Sequence, residues 1–238
     1  MKLSFLHTND THGCLTRAKL PFLLKLRLDV DLYFDSGDCI KTGNLGVPLK
    51  PEPVWGLLAD ARCDASVIGN RETHVTTSAF AAKIRGAKHS VLCANLATKA
   101  GKDPLPRFVI LEKQGIVIGV LGVSVPIVTA RMASAPLSAY LWSKPIDKAV
   151  ELAKELRSKC GLVIALTHIG VAQDRLLAET CPEIDIILGG HSHTVLRHPE
   201  MIGRTYICQG GSHAKYIGRY EWESGRLSGS LVEWPNSD

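Results

Sequence analysis

Ile184-Asp185-Ile186-Ile187-Leu188-Gly189-Gly190-His191-Ser192-His193 is a strand-like run that stops in two glycines and delivers two histidines. Its first half lacks polar–apolar alternation, as expected of a strand covered on both faces. The same grammar recurs upstream. Leu162–Leu166 runs into Thr167-His168, Leu3–His7 into Asp10-Thr11-His12-Gly13, Val30–Asp35 into Ser36-Gly37-Asp38, and Ala65–Ile68 into Gly69-Asn70. Further strands are predicted at Ser90–Ala94, Phe108–Leu111 and Ile116–Leu121. Helical patterns fall between them near Arg17–Arg27, Glu52–Ala61, Thr76–Arg85, Ile146–Lys159 and Ala172–Thr180. The fourth is the clearest, with Ile146, Ala149, Val150, Ala153 and Leu156 on one face. Arg204–Cys208, Tyr216–Trp222 and Leu227–Trp234 read as antiparallel strands. The mixture predicts an α/β layered domain with mixed sheets, a single domain over 1–238.

Composition sets bounds on function. With 45% hydrophobic residues, the 238-residue chain can bury a core and is not intrinsically disordered. No apolar run reaches the 18 or more residues of a membrane span. Twenty-eight Lys plus Arg against 23 Asp plus Glu give +5, spread without runs. That suits an anionic small molecule and argues against nucleic acid as a partner; it fixes no oligomeric state. The seven cysteines are odd in number and form no C-x-x-C pair, which disfavours a disulfide framework and a thiolate zinc site. MKLSFLHTND meets His7 and Asp10 too early for a signal-peptide core. A cytoplasmic location with reduced thiols is the expectation.

Five strand ends thus carry Asp10, His12, Asp38, Asn70, His168, His191 and His193. Ligand sites collect beyond the carboxyl ends of parallel strands, and five such ends are improbable unless the side chains converge. Imidazole, carboxylate and amide donors without thiolate suit divalent first-row metals: Mn²⁺ foremost, with Fe, Zn²⁺ or Co²⁺ as options. Seven donors exceed one tetrahedral site and suit two metals sharing a carboxylate. Two divalent cations against two aspartates leave a net charge of about +2, a trap for phosphate and a means of acidifying water.

Asp10-x-His12, Gly37-Asp38, Gly69-Asn70, His168 and Gly190-His191-x-His193 resemble the calcineurin-like dinuclear metallophosphoesterases. HTNDTHG, DSGD, ALTHIG, DIILGGHSHT and YIGRYEW look most like the catalytic domain of the 5′-nucleotidase and UDP-sugar hydrolase branch. The resemblance implies a four-layer α/β/β/α sandwich with two metals at one edge. By motif, Asp10, His12, Asp38 and His193 would hold one metal; Asp38, Asn70, His168 and His191 would hold the other, with Asp38 bridging. A metal-bound hydroxide would attack phosphorus in line.

Two departures stand out. The branch usually carries Gly-Asn-His-Glu, an aromatic and Asp; this chain reads Gly69-Asn70-Arg71-Glu72-Thr73-His74. Arg71 can offer phosphate oxygens a charged, forked donor but no proton at neutral pH. His74 could supply that proton if a turn carries it inward. The expectation is that Arg71 clamps the phosphoryl group, and that His74 or metal-bound water acts as the acid. Larger members also carry a C-terminal nucleotide-reading domain, for which no chain is expected here. Loops Cys39–Lys50, Ser124–Trp142 and Gly210–Lys215 would then shape the pocket, with Asn70 and His213 as substrate contacts. Asn9 and Thr11 are expected to orient the first ligands, and His89 and His198 to be solvated.

The function expected is metal-dependent hydrolysis of phosphoric esters, with phosphomonoesters favoured and nucleotides one class among them. A phosphodiesterase on cyclic or linear diesters, and a non-catalytic phosphate-binding scaffold, are the alternatives.

Overall fold

In a computed structural model describing residues 2–235, the apolar runs resolve into two six-stranded sheets and one two-stranded sheet. The chain opens with a strand–helix alternation: β1 (Lys2–Thr8), α1 (Leu20–Arg27), β2 (Leu32–Asp35), α2 (Pro53–Asp60), β3 (Ala65–Val67), α3 (Thr77–Ile84) and β4 (Ser90–Leu92). It continues through β5 (Leu96–Thr98), β6 (Phe108–Lys113), β7 (Ile116–Ser124), β8 (Tyr140–Trp142), α4 (Pro145–Arg157), β9 (Leu162–His168), α5 (Val171–Thr180) and β10 (Ile186–Leu188). Four strands close it: β11 (Glu200–Ile202), β12 (Thr205–Cys208), β13 (Tyr216–Glu223) and β14 (Arg226–Glu233).

The first sheet runs β14-β13-β1-β2-β3-β4 and the second β11-β12-β10-β9-β7-β6. Strands β1 to β4 are parallel, as are β7, β9, β10 and β12, so each sheet presents several carboxyl ends at one edge. Side-chain alternation assigns the layers. Leu3, Phe5, Leu32 and Phe34 of the first sheet share a buried cluster with Ile118, Val120, Leu162 and Leu188 of the second. Leu6 and Tyr33 point the other way, onto Leu23, Trp55, Leu58 and Phe80 of α1 to α3. Leu121, Val163 and Ala165 pack against Ala149, Leu152, Leu156 and Leu177 of α4 and α5. The result is the expected α/β/β/α sandwich, in which strands buried on both faces have no reason to alternate in polarity.

Some local readings are corrected. The Ser90–Ala94 run stops at Leu92, and β5 then pairs with β8, which ends the Ser124–Trp142 segment read as a loop. Three-residue strands such as these carry too few residues to show a period. In the C-terminal third, β12 pairs in parallel with β10 and antiparallel with β11. All seven thiols are free, six of them buried. No helix among the described residues is long and apolar enough to cross a membrane.

His89 is not solvated. Its Nε2 lies 2.8 Å from Ser66 Oγ, and burial pushes its pKa from 6.5 to about 4. The unfolded chain therefore binds a proton that the fold refuses, and stability present above pH 6.5 is lost as pH falls from 6.5 toward 4. A His89→Phe variant, though weakened at neutral pH by the lost hydrogen bond, is expected to show a flatter fall of Tm across that window. An unchanged slope in thermal melts would refute this assignment.

Candidate metal centre

The carboxyl ends of β1, β2 and β3 meet those of β9, β10 and β12 at one edge of the sandwich. The chain turns sharply there. Asp10, His12, Asp38, His191, His193 and His213 have φ between 49° and 77°, a left-handed region that costs a non-glycine residue roughly 1–3 kcal/mol. The turns are held by long-range hydrogen bonds. Asp10 N–H donates to the Gly37 carbonyl (2.9 Å), His12 N–H to the Asp38 carbonyl (2.9 Å) and His213 N–H to the Asp10 carbonyl (2.7 Å). Gly190 is required by proximity: a methyl there would sit 2.8 Å from the Ser36 carbonyl oxygen and 2.9 Å from His168 Nδ1.

All seven expected ligands converge. Donor atoms of Asp10, His12 and His193 lie within 4.8 Å of one another, as do those of Asp10, Asp38 and His168. His193 Nε2 lies 3.3 Å from Asp10 Oδ1 and 2.9 Å from His12 Nε2. Asp38 spans both groups, with Oδ1 3.6 Å from His168 Nε2 and Oδ2 4.0 Å from His12 Nδ1. His191 Nδ1 meets Asn70 Oδ1 at 3.0 Å, and its ring centroid lies 5.2 Å from that of His168. Asp10 belongs to both compact groups, and Asp38 lies between them.

Three buried atoms, Asp10 Oδ1, His12 Nδ1 and His168 Nε2, have no hydrogen-bond partner. Buried polar groups are normally satisfied, and these three belong to the converging ligands; a cation would satisfy them. Oxygen and imidazole donors without sulfur suit a divalent first-row ion. His168 Nδ1 lies 2.7 Å from the Ser36 carbonyl, which can only accept, so Nδ1 carries a proton and Nε2 is the nitrogen turned toward Asp38 and Asp10, where a cation would have to displace its second proton.

The electrostatics agree. Burial would lower the His168 pKa, but Asp38, Asp10 and the Ser36 carbonyl outweigh it and push it up to about 9. Two carboxylates thus demand a positive charge between them. His12 is driven down to about 4, first by burial and then by the Arg71 guanidinium, which keeps its imidazole neutral for ligation. Burial, more than the competing His168 charge, raises Asp10.

Supporting residues explain the rigidity. Asn9 Nδ2 donates to Asp10 Oδ2 (2.7 Å) and to the Gly211 carbonyl, while its Oδ1 accepts from Gly210 N–H. Thr11 Oγ1 reaches the Cys39 carbonyl at 3.2 Å. Two groups escaped the sequence reading. Glu72, fully buried, accepts N–H bonds from Asp38, Cys39, Ile40 and Gly69 at 2.8 to 3.1 Å. Lys83, also fully buried, gives its ammonium to the carbonyls of Gly43, Asn44 and Arg71. Glu72 was visible in the Gly69–Glu72 motif; Lys83, one polar residue on an amphipathic helix, carried no signal.

Arg71 donates its backbone N–H to Asp38 Oδ1 (2.7 Å) and Nη1 to the Lys41 carbonyl (3.0 Å). His74 lies apart: its Nδ1 accepts Thr76 N–H just before α3, and it lines a small cavity with Val75, Phe80 and Tyr140. The turn after Glu72 does not bring His74 among the gathered ligands. His213 does join the edge, with its ring centroid 4.9 Å from that of His12.

A four-layer sandwich with oxygen and imidazole donors along one edge is the metallophosphoesterase architecture. A family model for calcineurin-like phosphoesterases matches residues 3–195, and the chain belongs to that family. A 5′-nucleotidase of Vibrio cholerae is 29% identical over 277 residues, covering 95% of this chain and 50% of the relative. The uncharacterized metallophosphoesterase YunD of Bacillus subtilis is 25% identical over 237 residues, covering 92% and 50%. Among solved structures, a 5′-nucleotidase precursor from Thermus thermophilus has a similar fold, with a TM-score of 0.80 at 19% identity over 98% of this chain and 55% of that one. The chain spans about half the length of the curated relatives it matches.

Proposed function

We propose that this chain hydrolyses phosphoric esters at a centre of two divalent cations, Mn²⁺ foremost, with phosphomonoesters, nucleotides among them, as preferred substrates. The observation that carries the reading is the convergence of seven candidate ligands, five of them in two compact donor groups, with three orphaned buried atoms among them. Cations bound there would supply Lewis-acid charge to phosphoryl oxygens and lower the pKa of the attacking water.

The protein's own share is positional. His12 and His193 belong to one ligand group, and Asn70, His168 and His191 to the other, with Asp10 and Asp38 placed between them. Arg71 stands at the rim with its charge felt at His12, and it holds the phosphoryl oxygens through its forked donors. Lys83 anchors the carbonyls of Arg71, Gly43 and Asn44, and Asn44 Oδ1 accepts from Asn70 Nδ2 (3.1 Å). One buried ammonium thereby sets the clamp, a ligand and the Cys39–Lys50 loop in register. His74, hydrogen-bonded at Thr76, is left to the rim.

The experiment combines elemental analysis with assays in added Mn²⁺ on p-nitrophenyl phosphate and its bis ester. Two bound cations and faster monoester turnover are expected; bound metal without turnover on either ester would favour a non-catalytic scaffold. Because p-nitrophenolate leaves without protonation, the assay isolates the phosphoryl clamp. Arg71→Ala is expected to lower monoester kcat by roughly 10²-fold, the scale of losing one preorganised donor, and to lower bis-ester turnover less. An unchanged kcat at saturating metal removes Arg71 from the role.

A further inference from the structure

His213 reaches the metal edge from the carboxyl end of β12, through Gly210-Gly211-Ser212. Its ring centroid lies 4.9 Å from that of His12 and 6.0 Å from that of His193, and those two rings are themselves 4.9 Å apart. Three imidazoles from three strand ends therefore form a closed triangle beside Asp10.

The backbone is bent to place it. His213 and Ala214 both adopt left-handed conformations, with φ of 59° and 49°. His213 N–H is held by the carbonyl of Asp10, and the Ala214 carbonyl accepts from Lys19 Nζ at 2.7 Å. The residue whose carboxylate belongs to both ligand groups thus also secures the backbone of His213. Nδ1 of His213 is engaged by Ser212 Oγ at 2.9 Å, which leaves Nε2 as the nitrogen for a ligand. The His213 side chain itself is exposed.

We infer that His213 is a further ligand, the third imidazole, of the cation held by Asp10, His12 and His193. The inference rests on the two-cation reading above and deepens it. With His213 this position offers three nitrogens besides carboxylate oxygen, whereas the other offers two nitrogens and the oxygens of Asn70 and Asp38. Nitrogen-rich sites favour Co²⁺ and Zn²⁺ over Mn²⁺ more strongly than oxygen-rich ones. The two positions are unlike, and His213 sets the preference of the first.

The test uses the chelator-stripped protein titrated with Co²⁺, Zn²⁺ or Mn²⁺, reading calorimetric affinity and the Co²⁺ visible d–d spectrum. The variants are His213→Asn and His213→Gly, both tolerant of left-handed backbone. Wild type should take up two Co²⁺ per chain. Both variants should still bind two, with the first-position affinity for Co²⁺ and Zn²⁺ about 10- to 100-fold weaker, a changed d–d band and a smaller loss for Mn²⁺. Two bound ions with wild-type affinity and spectrum in both variants would overturn the His213 assignment alone. A wild type that binds no pair of cations would instead overturn the two-cation reading and this inference with it. Equal far-ultraviolet dichroism of the stripped proteins verifies that the fold is unchanged.

Discussion

Glu72→Ala is expected to be among the most destabilising single substitutions in this protein. The Glu72 carboxylate is fully buried and accepts four backbone N–H groups, three of them from the consecutive residues Asp38, Cys39 and Ile40. Removing it strands these donors, and each unsatisfied buried donor costs about 1–3 kcal/mol. Even at the lower bound the sum is about 4 kcal/mol, which for a domain of this size lowers Tm by roughly 8–16 °C. Glu72→Gln keeps the volume and one acceptor oxygen, so a smaller loss is expected. Cation affinity should fall in parallel, because Asp38 occupies a left-handed turn that these bonds hold. A Glu72→Ala protein melting within about 2 °C of wild type would show that the anchor is dispensable.

Asp10→Asn is expected to produce the largest functional loss. Asp10 is the carboxylate common to both ligand groups. Its Oδ2 accepts from Asn9 Nδ2 and His191 N–H, while Oδ1 lies within 3.9 Å of His12, His168 and His193. An amide can keep the Oδ2 bonds but gives up the negative charge facing both donor groups. Turnover should fall on the order of 10³-fold, about 4 kcal/mol of barrier, with fewer than two cations retained per chain. The metal-free Tm should hardly move, since the substitution also removes repulsion between two buried carboxylates. Full turnover with two cations bound would refute the placement of Asp10.

Why the candidate ligands were legible and their supports were not follows from the range of each signal. Asp10, His12, Asp38, Asn70, His168, His191 and His193 each follow a short apolar run, and a strand followed by a polar turn is a local pattern. Arg71 could be singled out because it departs from a motif. Lys83 could not: it sits on α3 among Ala82 and Ile84, and its three carbonyl partners lie 12 to 40 residues away. His89 was misread for the same reason, since beside Lys88 it looks solvated and only the packing near Trp55 and Ser66 buries it. His74 shows the opposite case: it follows the Gly69–Glu72 motif in sequence, but the chain there turns to begin α3, and its ring is hydrogen-bonded to Thr76.

The order of apolar runs was enough to determine the layered α/β class and the strand ends that carry donors, because burial on two faces and a parallel course impose patterns within a few residues. Pairing partners were settled only by tertiary contact: which sheet each strand joined, that Asp10 serves both ligand groups, that Glu72 and Lys83 brace them, and that His213 completes a triangle of imidazoles. These depend on segments as much as 200 residues apart arriving within a few ångströms, and no local periodicity encodes such a distance.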